Sequence, residues 1–410
     1  MDRRRSQRIK SIKKCSCYDS DSNSHHHANK NMKQNSNSTN SCEVISNLLL
    51  LEDLRFHIFT FVPVKCLINS ARYVCKDWAA TISNSQFVEA YERHAHSKPG
   101  LYVENLTTQG KSYFLEFKDD VNGQFKKTNF RTPEKMGRLI STCDGILLLF
   151  SNYDRRIFVV NPILKCWLII PHFPKSLSFT RVLCRCSIAR VPHTSKFKLF
   201  LMDVFKDSGV LWNVIYVLRI GIDNSWKEIA RKKVPPNLKD LWEQVYNGGN
   251  DIYWITKKEV IVMDVDKERI LREYPHPDLP NDLNIKYLWM KNRLSCIAYE
   301  DSYRTYQIFI LDFDSGQWSL YHEMEPFDYV AACGHELDIL FVEFRLWIND
   351  QVIFNVTVYQ NSARNLYPKN IHFGYNVKTK QLTKIEGIAV GAFEVWLHNN
   401  SLVSFPSTAT

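Results

Sequence analysis

A strand–turn–strand unit recurs five times between about residues 141 and 385, and this repeat constrains the fold more than any other feature of the chain. Its first copy is Phe158-Val159-Val160-Asn161-Pro162, a turn, then Trp167. The second is Tyr216-Val217-Leu218, a turn at Gly221 to Asn224, then Trp226. The third runs Ile261 to Asp266 and reaches Ile270, the fourth runs Phe309 to Gly316 and reaches Trp318, and the fifth runs Phe373 to Val377 and reaches Leu382. In four copies the first apolar residue stands nine places before the closing residue, and in the second it stands ten places before. Each copy reads as a β-hairpin whose closing Trp, Ile or Leu packs inward as blade core. The closing positions are 59, 44, 48 and 64 residues apart, close to the roughly 50-residue spacing of four-stranded propeller blades.

Glycines precede several copies, as in Asp144-Gly145, Gly248-Gly249 and Gly334, and are expected to let the chain turn tightly into an inner strand. Strand-like segments also lie at 101–130 and 393–405. Combined, they would complete a sixth blade from both ends of the region and leave no free sheet edge. A ring of about six blades over 99–408 is therefore expected, with a β-sandwich as the alternative that the repeat disfavours.

The residues before this region follow a helical period. Leu50, Leu54 and Ile58 recur at four-residue steps, and Pro63 stops that helix. Leu67, Ala71, Val74 and Trp78 mark one face of a second helix, and Phe87, Ala90 and Tyr91 lie on a third after Ser83-Asn84-Ser85. Such a bundle, over 43–98, holds little core of its own, so a bound partner would complete its burial. The fold class expected is thus α+β and multidomain, a small all-α module followed by an all-β propeller.

Charge is unevenly placed. The chain carries +10, and +6 of this falls in residues 1–42, where nine Lys/Arg meet three Asp. That segment is Ser-, Asn- and His-rich and too poor in apolar residues to fold, so a disordered basic tail is expected. Its cluster from Arg3 to Lys14 suits a nuclear import signal and, equally well, an ordinary solvated charge run. The remainder is only mildly basic, and nucleic acid is not an expected partner. The three adjacent histidines His25, His26 and His27 lack fixed geometry for a metal. The 11 cysteines, an odd number, sit largely in apolar runs and suit free thiols in a reducing compartment. No stretch is long and apolar enough to span a membrane as a helix.

At this point a family resemblance emerges. Leu50-Leu51-Glu52-Asp53-Leu54, Ile58-Phe59, Val62-Pro63-Val64-Lys65-Cys66-Leu67, Arg72-Tyr73-Val74-Cys75-Lys76-Asp77-Trp78 and Ile82-Ser83 resemble, without a gap, the F-box of plant-type F-box proteins. Two positions depart from it: Leu51 stands where the family has proline, and Phe61-Val62 replaces an Arg-Leu pair. Cys143-Asp144-Gly145-Ile146-Leu147 and Asn161-Pro162 to Trp167 resemble elements of the kelch-like, F-box-associated propellers that follow such modules. The resemblance implies a substrate-recognition subunit of an SCF-type cullin ubiquitin ligase, non-catalytic, without a cofactor, and placed in the nucleus, the cytoplasm or both. It further implies docking on a Skp-type adaptor, and through it a cullin, by helix-in-groove contacts of Leu50, Leu54, Ile58, Phe59, Val62, Pro63 and Leu67. Val74, Cys75, Trp78 and Ile82 would form the module's own core. The target protein would be held by the propeller, at residues the sequence does not single out.

Patterns for other chemistry are weak. No phosphate-binding loop precedes a helix, and no Ser/His/Asp or Cys/His set has a telling spacing. Cys184-Arg185-Cys186 with His193 lacks a second ligand pair for zinc. Arg181, Arg185 and Arg190 read as the solvated face of strands. Two further classes stay open: a propeller hydrolase, which requires acidic or His residues converging on the central channel, and a nuclear regulatory protein acting through the basic tail.

Overall fold

A computed structural model describes residues 51–94, 100–106, 112–117, 125–130, 136–173, 185–234, 241–246, 248–280, 283–300, 305–359 and 369–405. Leu50 and the whole basic tail, with His25 to His27, lie outside these residues, as do Arg181 and Cys184.

Among the described residues, 24 strands form six four-stranded antiparallel sheets, the blades of a six-bladed β-propeller. Blade 1 takes β1 (Gly100–Asn105), β2 (Ser112–Phe117) and β3 (Phe125–Phe130) from the start of the region. Blade 2 is β4 (Arg138–Cys143), β5 (Ile146–Ser151), β6 (Arg156–Asn161) and β7 (Cys166–Ile169). Blade 3 is β8 (Cys186–Arg190), β9 (Phe197–Asp207), β10 (Val210–Arg219) and β11 (Lys227–Val234). Blade 4 is β12 (Leu241–Val245), β13 (Asp251–Thr256), β14 (Glu259–Asp264) and β15 (Arg269–Pro275). Blade 5 is β16 (Asn284–Met290), β17 (Arg293–Tyr299), β18 (Tyr306–Leu311) and β19 (Trp318–Met324). Blade 6 is β20 (Ile339–Ile348), β21 (Gln351–Val358), β22 (Lys369–Asn376) and β23 (Gln381–Lys384). The last strand, β24 (Phe393–His398), returns to blade 1 and pairs with β1 from Gly100↔His398 to Asn105↔Phe393. The ring is closed by strands from both ends of the region, as the repeat requires.

Each of the five repeat copies is the hairpin between the third and fourth strands of a blade. Four closing residues sit in register there, as Val160↔Trp167, Met263↔Ile270, Leu311↔Trp318 and Tyr375↔Leu382, while Trp226 stands just before β11. They are not deep core. The fourth strand is the outermost of its blade, so these side chains are half-buried, and Trp167 is the most exposed, lying edge-on to Phe158 at 6.1 Å. Their work is between blades. Trp226 Nε1 donates to Pro171 O of blade 2 (3.1 Å), and Trp318 Nε1 donates to Pro275 O of blade 4 (2.9 Å). Inner and middle strands supply the deep core, as their continuous burial shows: every residue of β5 and β21 is buried.

The glycines also serve differently from expectation. Asp144 (φ 43°) and Gly145 (φ 80°) form the two-residue turn leading from the innermost strand to the second. A Cβ at Gly145 would lie 2.5 Å from Asn399 O, so glycine also admits the C-terminal segment there. Gly334 caps a short helix, α5 (Tyr329–Cys333), in a left-handed conformation.

The described N-terminal part is helical: α1 over 51–60, α2 (Val64–Asn69), a 3-10 turn at Ala71–Tyr73, α3 (Lys76–Ser83) and α4 (Ser85–His94). Phe59, Leu67, Ile82, Phe87 and Tyr91 join one hydrophobic core with Ile146, Leu148, Ile188, Leu199 and Leu402 of blades 2 and 3 and the C-terminal segment. The burial that this small module cannot supply for itself thus comes from the propeller.

Candidate functional site

Helix α1 has two apolar faces. Phe56 and Phe59 turn inward, and both rings meet Phe87 edge-on, at 5.3 and 6.3 Å. Phe59 also meets Trp78 at 4.8 Å. Leu54, Ile58 and Phe61, at steps of four and three, form the opposite stripe and are 55%, 51% and 68% exposed. An amphipathic surface helix ordinarily places its polar face outward, whereas here Leu54 and Ile58 put apolar side chains on the exposed side as well.

Of the expected adaptor contacts, Leu54, Ile58 and Pro63 are exposed, Val62 is half-buried, and Phe59 and Leu67 are buried in the shared core. Phe59 and Leu67 therefore lie behind the exposed stripe and are not part of that surface. The expected module core divides the other way. Ile82 is buried and Trp78 half-buried, but Val74 (62%) and its neighbour Tyr73 (74%) are exposed, and so is Cys75. The reason is local. The 3-10 turn turns Ala71 inward and interrupts the α-helical period, so the count of three from Ala71 to Val74 no longer returns to the buried face.

Behind this surface the helices are locked to the ring by a polar joint. Glu92 of α4 pairs with Arg190 Nη1 at the end of β8 and accepts a 2.6 Å hydrogen bond from Ser401 Oγ. Arg190 Nη1 also lies 3.6 Å from Asp144, and its backbone N–H donates to Tyr246 Oη at 3.1 Å. Tyr91 Oη donates to Val62 O at 3.0 Å, tying α4 to the end of α1. Burial pushes the Glu92 carboxyl up, and Arg190 opposes that shift. Arg190 is no solvated strand residue, nor is Arg185, which is buried 3.7 Å from the equally buried Asp203.

The second candidate site is the central channel, a cavity of about 500 Å³ bordered by the innermost strands β24, β4, β8, β12, β16 and β20. Three adjacent blades project charge into it. Lys286 Nζ of β16 pairs with Glu243 Oε2 of β12 at 2.8 Å. Arg345 of β20 bonds Glu343 Oε2 (2.6 Å) through Nη2 and Asn355 Oδ1 (2.8 Å) through Nε. Burial raises the Glu243 carboxyl, Lys286 opposes this, and Glu343 adds to it, so the two acids stand close enough to feel each other. None of these four residues is marked by a motif. In sequence they are isolated charges in otherwise apolar strands, one each in β12 and β16 and two in β20, a pattern that ordinarily means a solvated face.

The channel wall also holds Thr142 Oγ1, 3.3 Å from His398 Nδ1. Complete burial pushes this imidazole down to about 3, which keeps it neutral and makes it a poor base for a hydroxyl nucleophile. Cys186 is fully buried with its thiol pushed up by burial, and among the described residues no group of three His, Cys, Asp or Glu side chains could hold a metal. No helix among the described residues is long and apolar enough to cross a membrane.

The fold defines the class of the chain: a six-bladed propeller whose ring is closed by strands from both ends of the region, with short helices packed on blades 2 and 3. No protein-family model matches the chain, and no curated protein does. Solved structures similar to it include an oligogalacturonate lyase from Vibrio parahaemolyticus, 8% identical over 71% of this chain and 79% of that one, with a TM-score of 0.41. TolB from Acinetobacter baumannii is 10% identical over 78% and 72%, with a TM-score of 0.40. The β-propeller domain of the Trilobed protease from Pyrococcus furiosus is 11% identical over 60% and 70%, with a TM-score of 0.30. At such scores these likenesses carry nothing to the site or the activity of this chain.

Proposed function

We propose that this chain is a non-catalytic substrate receptor of an SCF-type cullin ubiquitin ligase. Its N-terminal helices dock on a Skp-type adaptor, and its propeller holds the target protein. The observation that carries this reading is the exposure of Leu54 and Ile58, one turn apart on the outward side of a helix whose other face is already anchored. Both residues fall within the ordered F-box-like series from Leu50 to Ser83, and helix-in-groove docking uses side chains at such spacing. Phe59, Leu67 and the joint at Glu92 support the stripe from behind. Catalysis by such a receptor is proximity alone: target and ubiquitin carrier are held on one scaffold.

The test is co-purification of wild-type protein and a Leu54→Asp, Ile58→Asp variant with a Skp-type adaptor and a cullin. Wild type should retain both partners and the variant should lose them while its thermal unfolding stays unchanged. Equal association of the two proteins would sink the reading.

A second reading, a propeller hydrolase, draws on the charged channel and on the Thr142–His398 contact. It requires Thr142→Ala to abolish hydrolysis of some ester or glycoside substrate. The depressed basicity of His398 and the pairing of each channel carboxylate with a cation count against it.

A further inference from the structure

Blade 6 has the longest inner strand of the ring. Strand β20 runs ten residues, where the other inner strands have five to seven. Towards its end, Leu346 and Ile348, with Ile353 of β21, are buried against Leu101, Val103 and Leu115 of blade 1. Towards its start the same sheet face continues in register as Glu343↔Asn355 and Phe341↔Thr357. Asp338 comes next, its carbonyl accepting from Tyr359 N–H at 3.2 Å. This end of the face is only partly covered. Thr357 is buried, but Phe341 and Tyr359 are each 45% exposed. The connection from blade 6 to blade 1 passes beside them through the bridge Asn370↔Gly391 and leaves Val390 47% exposed. Large apolar side chains from three separate stretches are thus open to solvent together.

The charge around this face defines the kind of partner. The chain carries +10, yet Glu325 to Glu343 holds five acidic residues and no Lys or Arg. Glu336 and Asp338 are exposed and have no cation partner among the described residues. Arg345, the nearest cation along β20, is already bound to Glu343 at 2.6 Å. Uncompensated carboxylates favour a partner of opposite charge and repel nucleic acid or an anionic membrane surface. Exposed charges are screened and hold little alone, so the partner must also bring apolar groups for Phe341, Tyr359 and Val390 to bury. A small cation does not.

We infer that this face of blade 6 is a docking site for a basic, partly apolar peptide segment. Its Lys or Arg side chains meet Glu336 and Asp338, and its apolar side chains pack on Phe341, Tyr359 and Val390. That the segment belongs to a ubiquitination target rests on the receptor reading above; the site itself does not. The helices pack on blades 2 and 3, so a peptide on blade 6 leaves Leu54 and Ile58 free.

The test pans a phage-displayed library of random dodecapeptides against the immobilised full-length protein and measures the enriched peptides by fluorescence polarisation. The enriched peptides should be net basic with large apolar residues, and their affinity should fall as salt is raised. Phe341→Ser should weaken them about tenfold, and Glu336→Gln combined with Asp338→Asn should remove most of the salt dependence. Where circular dichroism shows Phe341→Ser unfolded, Tyr359→Ser makes the same comparison. The Leu54→Asp, Ile58→Asp variant should bind the peptides as wild type does, so failure of adaptor docking and failure of this site read separately. The inference is overturned if no peptide is enriched, if the enriched peptides are neutral or acidic, or if the folded variants bind them as wild type does. Sedimentation showing that wild type self-associates through Phe341 in place of binding them overturns it as well.

Discussion

Two residues show how much one side chain decides in this ring. Asn161 is fully buried and uses every group it has: Nδ2 donates to Ser401 O (3.0 Å) and Val403 O (2.8 Å), and Oδ1 accepts from Ile163 N (2.9 Å) and Leu164 N (3.1 Å). It turns the chain between β6 and β7 and latches the C-terminal segment onto blade 2. Asn161→Ala would leave several buried backbone groups unpaired, and chemical denaturation should show a loss of roughly 3 kcal/mol. Glu104 shows the opposite case, a group the fold tolerates better uncharged. Burial pushes its carboxyl up to about 7, although Leu139 N–H donates to it at 3.1 Å. Because the folded value lies above the unfolded one, the contribution is fully present below about pH 4.5 and fades as pH rises through 7. Unfolding midpoints should therefore fall between pH 5 and 8, by up to about 3 kcal/mol of stability. Glu104→Gln, which keeps the acceptor for Leu139, should flatten that slope.

At the scale of elements, the helices divide their apolar residues between two tasks, and mutations separate the tasks. Leu67 is fully buried in the core shared with blades 2 and 3, so Leu67→Ala should cost about 2–5 kcal/mol by thermal or denaturant unfolding. Val74 is exposed, so Val74→Ala should stay within about 0.5 kcal/mol of wild type. A comparable loss at both positions would mean that the 3-10 turn does not present Val74 to solvent. The outer strands make the same point for the blades. Trp226 and Trp318 recur in the sequence because an indole N–H at that position reaches a proline carbonyl of the preceding blade. Ile270 and Leu382 keep the packing without the hydrogen bond.

On the scale of the whole molecule, stability depends on ring closure. Strand β24 pairs with β1 along six residues, and the segment after it supplies Ser401 to Glu92 and Leu402 and Val403 to the core under the helices. Deleting 393–410 would open an edge on blade 1 and uncover that core together. Calorimetry of the truncated chain should show the single cooperative transition replaced by a broad, lower one, with aggregation through the freed edge of β1. A truncated chain melting at the wild-type midpoint would contradict this account.

Much of the fold was legible because hairpin geometry is local. A strand, a turn and a returning strand leave a period and a closing residue in the sequence, and five such copies imply blades. The sixth blade was legible as the remainder, since an open ring would leave bare edges. The helical stretch before the ring was legible as well, though not which of its residues face inward. Phe59 and Leu67 face the propeller, Leu54 and Ile58 face outward, and Val74 and Cys75 are turned out by a 3-10 turn that propensity does not mark. The channel was not legible at all. Glu243, Lys286, Glu343 and Arg345 are spread over about a hundred residues, and each alone looks like an ordinary exposed strand charge. Local periodicity by itself determined the blades and the helical stretch. Which apolar faces meet, and which charges share one cavity, was decided only when closure of the ring brought distant strands to a common axis.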